Sequence, residues 1–267
     1  MQEPEERAPD LALLLEAAKD AGKIALSHFR AAPKTWEKGG GAGPVTEADI
    51  AVDTMLRETL RAARPGYGWL SEETEDDRSR LSAEDVFIVD PIDGTRSFIG
   101  GSETWAVSLA VARRGVVRAG VVYLPAKGLT FAAARGQGAS LNGDRIEVSQ
   151  PADPALAHVL SAKVNFTKAH WQSVPPRPLL SFRSSLAYRL ALIAQGRFDA
   201  MITLRDTWEW DIAAGSLIVE EAGGRVVTTA GDAPRFNTPR AALAGVLAGA
   251  PGLISHYAAC GPRLMAA

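Results

Sequence analysis

Apolar residues recur every three to four positions in several segments of the chain, a spacing that places them on one face of an α-helix. These segments span residues 11–30, 47–63, 186–195 and 212–222. The last of them is followed by Gly223-Gly224, and glycine is typical of a helix C-terminus. The pattern therefore predicts four amphipathic helices, two near the start of the chain and two after residue 185.

Apolar runs and alternating patterns predict strands between these helices. Residues 86–89 are all apolar and indicate a buried strand, and a short apolar segment at residues 69–70 precedes it. Asn142-Gly143 is a dipeptide that favours a tight hairpin. Further strands are predicted at residues 107–111, 116–123, 130–134, 200–204 and 225–228, and a strand and a helix from residue 243 onward. The chain is therefore expected to be a mixed α/β protein.

The length of 267 residues suits one large domain or two small ones, with a substantial core in either case. Several prolines between residues 151 and 178 mark a boundary region, which separates a half at residues 10–150 from a half at residues 151–262. Residues 39–44 are rich in glycine and predict a flexible loop before the second helix.

Composition excludes several functional classes. Hydrophobic residues make up 46% and charged residues 22%, and a net charge of −2 gives no reason to expect a nucleic acid or an anionic membrane as a partner. The single cysteine, Cys260, excludes an internal disulfide framework and a cysteine-based zinc site. No apolar run reaches the ~18 residues of a membrane span. The charged, proline-containing start does not match a signal peptide. We therefore expect a cytoplasmic enzyme of bacterial type.

The most informative stretch follows the apolar run at residues 86–89 and places two carboxylates, Asp90 and Asp93, three positions apart. Pro91 stiffens the turn between them. Hard divalent cations prefer carboxylate and carbonyl oxygens, so this turn suits Mg²⁺. Gly94 permits close approach of a ligand to the backbone, and Thr95 begins a segment that can form a helix with free N–H groups. A pair of solvated acids in an Asx turn is the simpler interpretation of such a spacing.

Two other acidic segments strengthen the metal interpretation. Glu72 and Glu73 end the short apolar segment upstream, and Asp211 lies at the start of the predicted helix at residues 212–222, after two tryptophans. A helix N-cap is the simpler interpretation of Asp211. The acidic residues at 75–77 are expected to form a solvated loop, and Glu73 fits the same description.

Together with the Gly-Pro-Val-Thr-Glu-Ala-Asp sequence at residues 43–49, these three segments resemble the inositol monophosphatase superfamily of Mg²⁺-dependent, lithium-sensitive phosphatases. The resemblance runs in order over nearly the whole chain, and the D-P-I-D-G-T and W-D-x-A-A-G elements are its specific signatures. It implies a layered α-β-α-β-α sandwich of the inositol monophosphatase and fructose-1,6-bisphosphatase type, with the site at the junction of its two halves.

The resemblance also implies roles for individual residues. Two or three Mg²⁺ ions are expected on Glu72, Asp90, the carbonyl of Ile92, Asp93 and Asp211. Thr95 and Glu72 are expected to orient and deprotonate the attacking water, supported by Thr46 and Asp49. The substrate, a small phosphate ester, is expected on Asp93, Gly94, Thr95, Arg183, Ser185 and Asp211. A homodimer is the expected assembly.

Two other phosphate-binding signatures do not match this chain. Haloacid-dehalogenase-type phosphatases use D-x-D-G-T, but there the two acids are two residues apart, whereas Asp90 and Asp93 are three apart. The glycine-rich loop is followed by Pro44 and Val45, so it is not a P-loop. A catalytically inactive metal-binding regulator is the alternative from another class.

The sequence favours a 3'(2'),5'-bisphosphate nucleotidase, acting on 3'-phosphoadenosine 5'-phosphate, over an inositol or sugar monophosphatase. The segment at residues 183–187 resembles the G-S-S-L-K segment of the nucleotidase branch, although arginine replaces its glycine and alanine its lysine. Arg183 or Arg189 is expected to supply the missing positive charge. Inositol enzymes usually carry Asn-Phe after D-G-T-x, and this chain has Ser97-Phe98 there.

Overall fold

The structure is a computed structural model and describes residues 8–39, 43–151 and 153–265. The segments predicted from helical spacing all form helices, although their ends shift by a few residues. The helix predicted at residues 212–222 begins three residues earlier, since the extended Trp208 is its N-cap, and Asp211 therefore lies within the first turn. The helices are α1 (Ala8–His28), α2 (Glu47–Ala63), α3 (Thr95–Ile99), α4 (Leu186–Ala194), α5 (Glu209–Glu221) and α6 (Pro251–Ala259).

A seven-stranded sheet is built from consecutive strands, each beside the next in sequence. All of its neighbours are antiparallel except the first two strands, which run parallel. Both residues of the predicted hairpin turn, Asn142 and Gly143, have positive φ, as that turn requires. The strands of the seven-stranded sheet are β3 (Gly68–Ser71), β4 (Asp85–Asp93), β5 (Ala106–Arg113), β6 (Val116–Leu124), β7 (Leu129–Ala134), β8 (Ala139–Leu141) and β9 (Asp144–Ile146). A separate antiparallel pair, β1 (Thr35–Glu37) and β2 (Pro44–Thr46), flanks the glycine-rich loop.

A five-stranded mixed sheet follows in the second part of the chain. The proline-containing region at residues 151–178 is more than a linker, because one strand of this sheet lies within it. The strands are β10 (His158–Leu160), β11 (Leu179–Ser181), β12 (Ala200–Trp208), β13 (Arg225–Val227) and β14 (Ala242–Gly249), in the spatial order β11-β10-β12-β14-β13. Residues 40–42 of the predicted flexible loop lie outside the described residues.

The helices and sheets alternate in five layers, as the resemblance predicts. Helices α1 and α2 pack on one face of the seven-stranded sheet, α4 and α5 lie between the two sheets, and α6 covers the five-stranded sheet. Close packing of α4 on α5 needs Gly215, where an added Cβ would lie 2.6 Å from Cβ of Leu190. No helix among the described residues is long and apolar enough to cross a bilayer. The α-β-α-β-α sandwich is confirmed.

Candidate metal and phosphate site

A bulge in β4 brings Asp90 and Asp93 to the same side of the sheet. Asp90 pairs with Ser108 and Asp93 with Ala106, so three residue steps on β4 match two steps on β5. In a regular strand, side chains three positions apart point to opposite faces of the sheet. The extra residue in the bulge shifts this alternation by one, so Asp90 and Asp93 point to the same face. Pro91 lies inside this bulge, where its missing N–H costs no regular ladder bond. Strand β4 continues to Asp93, beyond the predicted strand at residues 86–89.

Asp211, in the first turn of α5, joins the two β4 carboxylates. One carboxylate oxygen from each of Asp90, Asp93 and Asp211 lies within 4.8 Å of the others. Asp90 is 1% and Asp93 is 7% exposed, and Oδ2 of Asp90 is buried with no hydrogen-bond partner among the described residues. Buried carboxylates this close together need a cation, so the donor set fits a hard divalent ion such as Mg²⁺.

The surroundings of the three carboxylates favour their protonated forms when no cation is bound. Burial raises the pKa of Asp90 well above its usual value, and the charges of Glu72, Asp93 and Asp211 raise it further. The pKa of Asp211 is raised in the same way, first by burial and then by Asp93 and Glu72. Burial also raises the pKa of Asp93 to about 6, although its hydrogen bonds from Ser185 and Ala187 oppose the shift.

The N-terminus of α4 orients Asp93. Oδ2 of Asp93 accepts a 2.6 Å hydrogen bond from Oγ of Ser185 and another of 2.6 Å from the backbone N–H of Ala187. Ser185 is also the N-cap of α4, since its Oγ accepts from the N–H of Tyr188 at 3.0 Å. Ser185, which the sequence assigns to the substrate, thus makes its recorded side-chain contacts to Asp93 and to its own helix.

Glu72 and Glu73 share a lysine that the sequence did not single out. Nζ of Lys38 donates to Oε1 of Glu72 at 2.8 Å and to Oε1 of Glu73 at 2.6 Å. Burial raises the pKa of Glu73 to about 7, opposed by its hydrogen bond from Lys38. Burial lowers the pKa of Lys38, but the two glutamates outweigh it and the net shift is upward. Glu72 is not among the three carboxylates within 4.8 Å of one another, yet its charge acts on Asp90.

The expectation of a solvated acidic loop at residues 75–77 is corrected at Asp76, and the solvated interpretation does not hold for Glu73 either. The side chain of Glu73 is only 4% exposed because it contacts Lys38. Asp76 binds the buried Arg80 through both of its carboxylate oxygens, at 3.0 Å and 2.7 Å. Lys38, the partner of Glu73, comes from another segment, 35 positions away. Arg80 is only four positions after Asp76, but its guanidinium is buried through contacts with the distant Asn237 and Thr238.

Thr46, Asp49 and Thr95 form a chain of hydrogen bonds that begins at the N-terminus of α2. Thr46 caps this helix, and both its N–H and its Oγ1 donate to Oδ2 of Asp49, at 2.8 Å and 2.6 Å. The single O–H of Thr95 is shared between two acceptors, with Oγ1 at 3.4 Å from Oδ1 of Asp49 and at 3.2 Å from the carbonyl oxygen of Ile92. Burial raises the pKa of Asp49, against the hydrogen bonds from Thr46. These predicted relay residues are therefore in contact with one another.

Gly94 links β4 to α3 and has a φ of 98°, a left-handed conformation that favours glycine. An added Cβ there would lie 3.2 Å from the carbonyl oxygen of Thr104. The turn is therefore tight where the sequence places the phosphate-binding N–H groups of Gly94 and Thr95.

The two arginines considered for a second substrate phosphate differ in environment. Arg189 is 5% exposed, donates to the carbonyls of Arg183 and Ser184, and lies 4.2 Å above the ring of Phe182. Burial lowers its pKa to about 10, while the charges of Asp93 and Asp211 raise it. Arg183 donates to the carbonyl of Phe182 at 2.7 Å.

Two further features near Asp211 were missed by the sequence analysis. Arg205 is exposed, and its charge lowers the pKa of Asp211. Trp208 is 51% exposed and stacks on Trp210, with ring centroids 5.0 Å apart. The pair of tryptophans was visible in the sequence, but the parallel stacking was not.

Comparison with known proteins agrees with this geometry. A model of the inositol monophosphatase family matches residues 6–260. A histidinol-phosphatase from Chlorobaculum parvum is 36% identical over 227 residues, which is 81% of this chain and 84% of the relative. A fructose-1,6-bisphosphatase/inositol-1-monophosphatase from Thermotoga maritima is 32% identical over 219 residues, with 81% and 84% covered. The solved structure of a Thermotoga maritima inositol monophosphatase covers 94% of this chain and 95% of its own, with a TM-score of 0.79 and 30% identity.

Proposed function

Because the chain belongs to the inositol monophosphatase family, it is a phosphoric monoester hydrolase, and we propose that it uses Mg²⁺ to hydrolyse a small phosphorylated metabolite. The observation that carries the metal assignment is the group of three carboxylates within 4.8 Å of one another, of which Asp90 and Asp93 are buried and Asp211 is half-buried. Family membership and the presence of all expected ligands favour the enzyme over a non-catalytic regulator. The same match argues against a haloacid-dehalogenase-type enzyme.

The residues that would hold Mg²⁺ are Glu72, Asp90, Asp93, Asp211 and the carbonyl of Ile92. Bound there, two or three ions would supply positive charge that neutralises the phosphoryl oxygens and makes a nearby water more acidic. Oδ2 of Asp90, which has no hydrogen-bond partner among the described residues, supports this assignment, because leaving a buried acceptor unsatisfied is costly and a bound cation would satisfy it.

Thr95 and its partners would act on the attacking water. The O–H of Thr95 is directed at Asp49 and the carbonyl of Ile92, which fixes this hydroxyl and leaves its lone pairs to accept from water. Glu72, whose Oε1 is held by Nζ of Lys38, would then take the proton. The N–H groups of Gly94 and Thr95, at the start of α3, would hold the phosphate.

The test of this function is phosphate release with and without added Mg²⁺, after chelation. We expect activity only with the metal, and at least a 10²-fold loss in Asp211→Asn, together with weaker Mg²⁺ binding in calorimetry, because a charged ligand is removed. The matched control is Asp206→Asn, an exposed carboxylate on β12 that pairs with Arg240. Near-normal Mg²⁺ affinity and rate in Asp211→Asn would contradict the assignment.

For the substrate, we favour a 3'(2'),5'-bisphosphate nucleotide such as 3'-phosphoadenosine 5'-phosphate. The exposed positive charge of Arg205, which acts on Asp211, supports a second anionic group. The exposed ring of Trp208 supports a planar base, because aromatic side chains stack on nucleobases. The same positive charge disfavours histidinol phosphate, whose amine is cationic.

An inositol or sugar phosphate is the second candidate. Beside Gly94, the hydroxyls of Ser97 and Ser184 are 2.6 Å apart, and Thr104 lies within 3.4 Å of both. Such a group of hydroxyls suits a polyol. Competition kinetics with 3'-phosphoadenosine 5'-phosphate, inositol 1-phosphate, fructose 1,6-bisphosphate and histidinol phosphate compares their kcat/KM values directly. A much higher value for the inositol ester would overturn the nucleotide assignment.

A further inference from the structure

Asp53 lies on α2 one turn after Asp49, and it is 7% exposed. Side chains four positions apart lie on the same face of a helix, so both aspartates face the seven-stranded sheet. Asp49 contacts Thr46 and Thr95, as described above. Asp53 contacts a different part of the site, the turn that carries Glu72 and Glu73.

Both carboxylate oxygens of Asp53 are used in this contact. Oδ1 accepts a short hydrogen bond from Oγ of Ser71, and Oδ2 accepts one of 2.7 Å from Oγ1 of Thr74. These two hydroxyls flank the Glu72-Glu73 pair on either side. One buried carboxylate therefore fixes both ends of the four-residue turn.

The hydroxyls are themselves fixed by further partners. Oγ1 of Thr74 accepts from Nε1 of Trp69 at 3.1 Å, and Oγ of Ser71 accepts from the N–H of Glu73 at 3.3 Å. Each hydroxyl thus donates to Asp53 and accepts from a neighbour, which leaves the turn little rotational freedom. The backbone adds one bond, from the N–H of Glu72 to the carbonyl of Val89 on β4 at 3.2 Å.

We propose that Asp53 is a positioning residue for the metal site. It holds the turn at Ser71–Thr74 so that the carboxylate of Glu72 faces the group formed by Asp90, Asp93 and Asp211. Asp53 acts only through this turn, since both of its oxygens are occupied by hydroxyl donors. The inference rests on the proposed function in one respect, the assignment of Glu72 to the metal.

The test is a double-mutant cycle in which Mg²⁺ binding to the substrate-free protein is measured by calorimetry. We expect Asp53→Asn to weaken binding by about tenfold, the lower end for groups that orient metal ligands. In a Glu72→Gln background the same change should have no further effect, because the residue it orients no longer binds. If Asp53 contributed only to folding stability, Asp53→Asn would change Mg²⁺ affinity by the same factor in the wild-type and in the Glu72→Gln protein.

Two other variants guard against misfolding and non-specific effects. Thr74→Val keeps the shape of the side chain but removes one donor to Asp53, and it should also weaken Mg²⁺ binding severalfold. Glu58→Gln, an exposed change on the same helix, is the matched control and should leave binding unchanged.

The outcomes separate the two proposals. If Glu72→Gln weakens Mg²⁺ binding while Asp53→Asn and Thr74→Val leave it unchanged, the role of Asp53 is wrong and the metal assignment stands. If Glu72→Gln has no effect on Mg²⁺ binding, the assignment of Glu72 to the metal and the role of Asp53 are both overturned, while the three-carboxylate site is judged by Asp211→Asn. A lower melting temperature in Asp53→Asn with unaltered Mg²⁺ binding would also overturn the inference.

Discussion

Nη1 of Arg80 donates a 2.6 Å hydrogen bond to Oδ1 of Asn237, although 157 positions separate the two residues in sequence. Asn237 returns a bond of 3.1 Å from its Nδ2 to the carbonyl of Arg80. Beyond this pair, the buried carboxylate of Glu209 accepts from the N–H groups of Asn237 and Thr238. Glu209 begins α5 two positions before Asp211, so this network joins the connection between β3 and β4 to the helix that carries Asp211.

Arg80→Met should therefore destabilise the protein. Its guanidinium is fully buried, and the substitution removes its hydrogen bonds to Asp76, to the Thr238 carbonyl and to Asn237. We expect the free energy of unfolding in urea to fall by about 2–3 kcal/mol, less than the 3–5 kcal/mol typical of a broken buried pair, because Asp76 is partly exposed. Arg78→Met, an exposed neighbour, is the control, and an equal effect there would contradict the role of the network.

The metal-free protein should lose stability as pH rises from about 4 to about 6. In the folded state burial raises the pKa of Asp93 from 3.8 to about 6, so the unfolded chain releases this proton at lower pH than the folded one. The contribution of Asp93 to the free energy of unfolding is then largest below its unfolded pKa and declines until the pH passes its folded pKa. Thermal denaturation in EDTA at a series of pH values measures this, and Asp93→Asn should flatten that part of the curve. If Asp93→Asn showed the same pH dependence of melting temperature as the wild type, the predicted contribution of Asp93 would be wrong.

Saturating Mg²⁺ provides an internal comparison for the same experiment. A cation that binds the ionised carboxylates favours the folded state at high pH, since ligands that bind only the folded protein stabilise it. We expect the melting temperature at pH 7 to rise with Mg²⁺ in the wild type and much less in Asp93→Asn.

Thr95→Val should lower kcat by about 10²-fold and leave Mg²⁺ binding nearly unchanged, because it removes the hydroxyl between Asp49 and the Ile92 carbonyl without removing a charge. Thr95→Ser retains the hydroxyl and should recover most of the rate. Single-turnover kinetics separates the chemical step from substrate binding. A Thr95→Val enzyme with normal kcat would exclude this hydroxyl from the reaction.

Lithium should inhibit the enzyme at millimolar concentrations and uncompetitively with respect to substrate. This expectation comes from the family resemblance and from the presence of all the expected ligands, including Glu72, Asp90 and Asp93. Initial rates at several LiCl concentrations measure it, with KCl as the control for ionic strength. Complete insensitivity to LiCl would argue against the three-ion arrangement.

Arg205→Ala should raise KM for 3'-phosphoadenosine 5'-phosphate about tenfold, since a lost charge-assisted contact corresponds to about 1.5–3 kcal/mol. Hydrolysis of inositol 1-phosphate, which has no second anion, should change little. Arg183→Ala should have a smaller effect, because that guanidinium donates to the Phe182 carbonyl. Arg197→Ala, an exposed arginine at the end of the α4 segment, is the control. Equal losses on both substrates would contradict a second-phosphate contact at Arg205.

Much of the architecture and of the candidate site could be predicted because its determinants are local. The helices at 11–30 and 47–63 follow from apolar spacing, which depends only on neighbouring residues. Asp90, Pro91 and Asp93 lie within four positions on one strand, so their proximity needs only the bulge that the proline favours. Thr46 and Asp49 likewise form a capping box within one turn of α2.

Tertiary structure alone decided the contacts between distant segments. Ser185 meets Asp93 across 92 positions, and Lys38 meets Glu72 across 34. The same holds for Arg80, whose buried guanidinium joins Asp76 to Asn237. A lysine, a serine or an acidic loop looks the same in sequence whether it faces water or a buried partner. Burial changes its chemistry only when packing removes the water, and packing depends on how the two sheets and the helices between them come together.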